Sequence, residues 1–259
     1  MHNRIDRALF ALLFLFAPFS AMATDYSDIW WNPSESGWGV NFAQSDKFIF
    51  ATFFVYGPNN QPTWYAGNLN ADGNGNYTGG LFATTGPFFG LPFDPAKTSV
   101  SQVGIATFTP TAPDTGTLTY NVGNVIVVKN IQRQTLTSIT LGGTYSGGQQ
   151  GTHSGSTCSL GDYTDHFELQ VAQPGDGTVT LSFAYSGNLT CTIAGTLQQK
   201  GQLYSIPNAS YACSSGLNTS ASITELKATS LGIEARLAAP SVGGGCREDA
   251  TFSAALWNG

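Results

Sequence analysis

The stretch WWNPSESGWGVNF, residues 30–42, gathers three of the chain's five tryptophans around a polar turn that contains a proline. Trp30, Trp31 and Trp38 are rings of the kind that anchor a core or face a ligand. Between them Asn32, Pro33, Ser34, Glu35, Ser36 and Gly37 have turn chemistry: Pro33 fixes its own φ, and Gly37 is free to take a positive one. After the turn Trp38, Val40 and Phe42 share one side and Gly37, Gly39 and Asn41 the other, the two-residue period of a strand with one nearly bare face. A bare glycine face invites an aromatic ring to lie across it. Two short aromatic strands joined by such a turn predict an antiparallel meander.

Outward from this stretch the pattern continues. Runs of β-forming residues at 37–43, 47–56, 63–69, 76–83, 103–108, 116–121 and 124–133 follow one another, with 28–31 as a possible edge strand, and most links between them are tight, polar or glycine-bearing. The link over residues 84–99 differs. It holds Phe88, Phe89 and Phe93 with three prolines, so it is long, apolar and stiff, as lids and Ω-loops are. The second half repeats the style at 142–146, 166–171, 178–185, 189–193, 203–213, 221–226, 230–237 and 249–256. The expected fold is all-β: two antiparallel meander domains, each a small up-and-down barrel of the calycin or avidin kind with about eight strands. Residues 24–136 form the aromatic-rich domain and 137–259 the disulfide-bonded one. In residues 48–56 both faces are apolar, so the outer face needs a cover: the lid, the other domain or a partner.

Residues 1–23 read as a signal peptide, with Arg4 and Arg7 at a positive start, an apolar run too short to span a bilayer, and a small-x-small site for cleavage after Ala23. Its removal leaves 15 acids and 8 bases, a net charge of −7. An acidic surface repels nucleic acid and anionic lipid, and no stable membrane insertion is expected once the leader is gone. Only 10% of the 259 residues are charged, a composition typical of secreted β-proteins. Four cysteines behind an export signal imply two disulfides, expected as Cys191 with Cys213 and Cys158 with Cys246, the first pair needing a bulge near Pro207 to meet.

The string WNPSESGWGV at 31–40, followed by FIFATFFVY and PTWYAG, resembles a WWNPxESGWG-containing β-domain of secreted proteobacterial proteins of unassigned function, sometimes attached to exported hydrolases. LFATTGPFFG and KNIQRQ extend the resemblance over about residues 28–134. It implies export and a β-fold, and it carries over no catalytic residue. Trp30-x-Asn32 is also loosely similar to avidins, but Pro33, Ser34, Glu35 and Ser36 stand where Gly-Ser should follow, so biotin binding is not carried over.

No motif in the chain carries chemistry with its context. His166-x-Glu168 lacks the P-C-x-x-C half of a zinc deaminase, and His153 beside Ser154 and Ser156 has no orienting third group. Asn70-x-Asp72-x-Asn74-Gly75 starts like an EF-hand loop but places Leu81 where the bidentate Glu belongs. No metal and no cofactor is expected. The reading is an exported non-enzymatic barrel protein whose aromatic surface binds a small molecule, a glycan or a protein. That site is expected as a shallow slot bounded by Trp31, Trp38, Trp64, Tyr65, Phe88 and Phe89, with Asn32 and Glu35 at its rim. One alternative is a structural protein whose aromatic face only joins the two domains. Another is a hydrolase using Glu35 with Asp28 as a carboxylate pair.

Overall fold

The structure, a computed structural model, describes residues 24–156, 158, 161–242 and 245–257. The expected leader, residues 1–23, lies outside them. Eight strands, β1 (Asp28–Trp31), β2 (Gly39–Ser45), β3 (Phe48–Tyr56), β4 (Pro62–Ala71), β5 (Tyr77–Thr85), β6 (Ser99–Ala112), β7 (Thr115–Val122) and β8 (Val125–Arg133), form a closed barrel in chain order. The short β1 is no edge: Trp30 pairs with Val40 of β2 on one side and with Arg133 of β8 on the other, so β1 is the seam that closes the barrel. Closure removes the exposed edge that a meander would otherwise leave.

Alternation along each strand fills this barrel. Trp30, Phe42 and Phe108 meet at its centre with ring centroids 4.8 to 5.7 Å apart, surrounded by Val40, Ile49, Phe53, Leu69, Leu81 and Leu118, all fully or almost fully buried. A meander sends its connections alternately to opposite ends. The links over residues 32–38, 57–61, 86–98 and 123–124 therefore share one end, which we call distal, and the links over 46–47, 72–76 and 113–114 share the proximal end with the chain's entry and exit.

The second barrel contains β9 (Gly143–Ser154), β10 (Asp162–Ala172), β11 (Thr178–Tyr185), β12 (Thr190–Thr196), β13 (Gln198–Lys200), β14 (Leu203–Cys213), β15 (Asn218–Ala228), β16 (Gly232–Ala239) and β17 (Arg247–Leu256). Pairing of β12 with β14 closes it, leaving β13 as a short extra strand on β14. The protein is thus all-β, with two closed antiparallel barrels of eight strands each. Cys191 pairs directly opposite Cys213 and is bonded to it, Cα atoms 4.0 Å apart, and Cys158 is bonded to Cys246. Gln198 pairs with Ser205 while Ala194 pairs with Ser210, so the two ladders are one residue out of step across Pro207.

At the barrel–barrel junction a buried ion pair holds the proximal end. Arg133, 1% exposed, donates to Asp28 Oδ2 at 3.2 Å, to the Ser27 carbonyl at 3.0 Å and to the Pro113 carbonyl at 2.9 Å, and its guanidinium lies over the Trp30 ring. The second barrel reaches this pair through the turn after β13. The backbone N–H of Gln202 donates to Asp28 Oδ2 at 3.0 Å, and Gly201, at φ +61°, sits so close that a Cβ there would come within 2.2 Å of the same oxygen. Only glycine fits that turn and that gap. Lys200 to Asp114 at 2.9 Å and Lys227 to Asp25 at 3.0 Å add ion pairs across the same junction.

Candidate functional site

Two groups of aromatic residues line the wall of the first barrel, one inside its distal half and one outside on β3 and β4, and the residues singled out from the sequence divide between them. Inside lie Trp38, Tyr65 and Tyr120. Trp38 precedes β2 and packs, half-buried, against the core, so the inner run of β2 begins at Val40 rather than at Trp38. Its indole N–H donates to Glu35 Oε2 at 3.0 Å, and the Lys129 ammonium donates to the same oxygen at 2.7 Å while lying 5.8 Å from the Trp38 ring centre. The hydrogen bond from Lys129 is the largest effect and, together with that from Trp38, holds the Glu35 carboxyl below the usual range of glutamate against the opposing effect of desolvation. Asn32 is used similarly within its own turn, accepting from the Ser34 N–H at 3.0 Å and the Ser34 hydroxyl at 2.8 Å. The turn between β1 and β2 is thus a plug tied down by its own polar groups, and neither Glu35 nor Asn32 is a free rim group.

The hydrolase pair is not assembled. Asp28 sits at the proximal end, where it is buried against Arg133, and Glu35 sits at the distal end against Lys129. A glycosidase needs one carboxyl kept protonated near neutrality, and Glu35 is shifted the other way. Among the described residues no group of three or more His, Cys, Asp or Glu side chains is placed to hold a metal ion. Asp72 accepts from the N–H groups of Asn74 and Asn76 and from the Asn76 side chain, the hydrogen bonding of a hairpin turn. His166 and Glu168 point outward from β10.

Outside, β3 and β4 present the other group. Phe53 pairs with Tyr65 on the inner face, so their neighbours Phe54 and Trp64, also paired, face outward. Phe54 is 55% exposed, Trp64 52%, Tyr56 57% and Phe50 43%. The registers give the surrounding rows: Gly39, Phe54 and Trp64 in one, Asn41, Thr52, Ala66 and Phe82 in the next, then Ala43, Phe50, Asn68 and Gly80. Tyr56 covers Gly37, its hydroxyl 3.1 Å from where a Cβ would stand, which is how the bare glycine side is filled. Two expectations for this face fail. The lid does not close over it: Phe88 and Phe89 pack against each other with their rings tilted by 52°, centroids 4.7 Å apart, and are 62% and 94% exposed. Nor does the second barrel cover it, since these exposures are those of the whole chain and the junction lies at the other end of the barrel. The expected slot is therefore replaced by an open face. Trp31, half-buried beside Gln132, keeps its indole N–H covered without an acceptor among the described residues.

Sequence reasoning passed over Phe50, Phe54 and Tyr56 as site residues, although the doubly apolar strand was the signal for them. The second barrel carries a wide open depression of about 1220 Å³ floored by Ser146, Gly148 and Ser253. Its cation, Lys227, is engaged by Asp25 and Glu234.

Fold and face together define a double-barrel β-protein with an exposed aromatic sheet. No protein-family model and no curated protein matches the chain. Among solved structures it is similar to a protein of unknown function of the DUF3598 family from Nostoc punctiforme PCC 73102, at 13% identity and a TM-score of 0.28, covering 89% of this chain and 94% of that one.

Proposed function

We propose that this is an exported, non-catalytic binding protein whose first barrel, within residues 24–136, holds a glycan on the outer face of β2 to β5. The observation that carries the reading is the set of four half-exposed rings, Phe50, Phe54, Tyr56 and Trp64, on adjacent strands of a closed barrel, which no other described residue covers. Large apolar side chains left together in water mark an interaction surface. Asn41, Asn68 and Asn70 stand exposed among the rings and supply amide donors and acceptors. A sugar ring has an apolar C–H face and a hydroxyl edge, which suits rings with amides beside them better than it suits a purely apolar patch. Two disulfides fit an oxidising compartment, and the acidic surface favours neutral over anionic glycans.

A thermal-shift screen of neutral oligosaccharides tests this. A glycan present at 100 times its dissociation constant stabilises the protein by about 2.7 kcal/mol, and replacing Phe54 by Ala removes that shift. A screen in which no neutral glycan moves the transition overturns the reading.

A further inference from the structure

The distal end of the first barrel has a second apolar surface, beyond the end of the β2–β5 face. The loop over residues 86–98 carries Phe88, Phe89, Leu91 and Phe93, and the start of β8, just past the 123–124 turn, carries Val125 and Ile126; all are more than 60% exposed. The meander brings both to the same end, away from the second barrel. We propose that this end docks reversibly on the surface of a zwitterionic lipid membrane, with these six side chains entering among the headgroups and upper acyl chains.

Three observations select lipid over a protein partner. The first is shape. Phe89, 94% exposed, stands clear of the fold, and a partner protein would need a matching cavity for it and for each of its neighbours. A fluid bilayer closes around a projecting ring without one. Pro87, Pro92 and Pro95, with Asp94 accepting from the Ala96 N–H at 3.1 Å, stiffen the loop, so little conformational freedom remains to be lost on insertion. The second is charge. The links over 57–61 and 123–124 contain no ionisable residue. Glu35 and Asp94 in the other two distal links are paired with Lys129 and Lys97. This end is electrically balanced on a chain of net charge −6, so it meets neutral headgroups without repulsion while the rest of the molecule is repelled by anionic ones. The third is layering. Tyr56 and Trp64, the distal rings of the β2–β5 face, are half-exposed at the ends of β3 and β4 nearest this surface, and amphipathic rings of this kind collect at a membrane–water boundary. Among the described residues no helix is long and apolar enough to cross a membrane.

The test is flotation of the protein lacking residues 1–23, whose apolar run would itself bind lipid, with phosphatidylcholine vesicles. The protein is expected to float with them, to do so less when phosphatidylglycerol is added, and to lose at least tenfold in partitioning when Phe88 and Phe89 are both changed to Ser, with an unchanged melting temperature. A Phe89→Trp variant is expected to be quenched by lipids brominated near the top of the acyl chain. Failure to float, equal flotation of the Ser variant, or absence of quenching overturns the proposal. So does a dimer in solution that the Phe88→Ser, Phe89→Ser variant breaks, since a second copy then covers the rings. None of these outcomes depends on glycan binding, which the Phe54→Ala variant tests separately.

Discussion

Arg133 shows how one side chain can fix the relation of two domains. Its guanidinium is buried with Asp28, and Asp28 in turn accepts from the second barrel's Gln202, so the ion pair of one barrel is also a docking point for the other. Removing the charge of one member strands the other in a dry site, and Asp28→Asn is expected to cost about 3 kcal/mol or more in urea denaturation. Gly201→Ala is expected to act on the junction alone: the new methyl cannot share space with Asp28 Oδ2 and Arg133 Cβ, so limited proteolysis should cut faster between the barrels, around residues 134–142, while each barrel stays folded. Glu35 behaves as the opposite case, a carboxylate whose partner is half in water. Its folded-state pKa lies below the ordinary 4.5. The stability that its ionised form contributes is therefore present above pH 4.5 and is lost as the pH falls through the depressed value. An NMR titration should place the Glu35 midpoint below 4.5, and Lys129→Met should raise it; a midpoint above 4.5 in the intact protein would contradict the plug described here.

At the scale of elements, legibility followed periodicity. Thr178–Tyr185 and Leu203–Cys213 could be bounded from sequence because β-formers and turn residues alternate cleanly there. β9 could not: beyond Ser146 it runs GGQQGTHS, which has no apolar period, because its inner side is filled by neighbours such as the Tyr163 ring lying against Gly151. A strand whose packing is supplied from across the ladder leaves no mark in its own residues. The same limit hid the role of β1, four residues whose importance comes from closing a ring. The open loop over 86–98 shows the reverse error, since apolar content made it look like a lid, whereas nothing in sequence says which way a loop leans. Both disulfides lie at the end of the second barrel remote from the junction, where β9, β12, β14 and β17 begin or end. Replacing Cys191 and Cys213 by Ser is expected to cost about 2 to 5 kcal/mol in the second barrel and to leave the first barrel's unfolding unchanged, as tryptophan fluorescence of the distal half would report.

For the whole molecule, the two barrels share a fold but are filled differently. The first has aromatic rings on both sides of its wall, and the second keeps its tyrosines inside, where burial first, and then Glu248 or one another, raise the phenols of Tyr163, Tyr185 and Tyr211 far above the ordinary 10.0. Their contribution is fully present below pH 10 and is lost as the pH rises beyond it, because only the unfolded chain releases those protons. Urea midpoints of the second barrel should therefore be level between about pH 8 and about pH 10 and fall above that, and Tyr163→Phe should flatten the fall. Under the proposed function the wall of β3 and β4 has an inner, structural side and an outer, binding side, and two adjacent residues, Trp64 and Tyr65, separate these roles. The most direct measurement is thermal unfolding of Trp64→Ala and Tyr65→Ala, each with and without a glycan that shifts the intact protein. Tyr65→Ala should lose about 3 kcal/mol of stability and keep a ligand-induced shift, whereas Trp64→Ala should keep its stability and lose the shift. Equal destabilisation by both, with the shift retained in Trp64→Ala, would contradict the account.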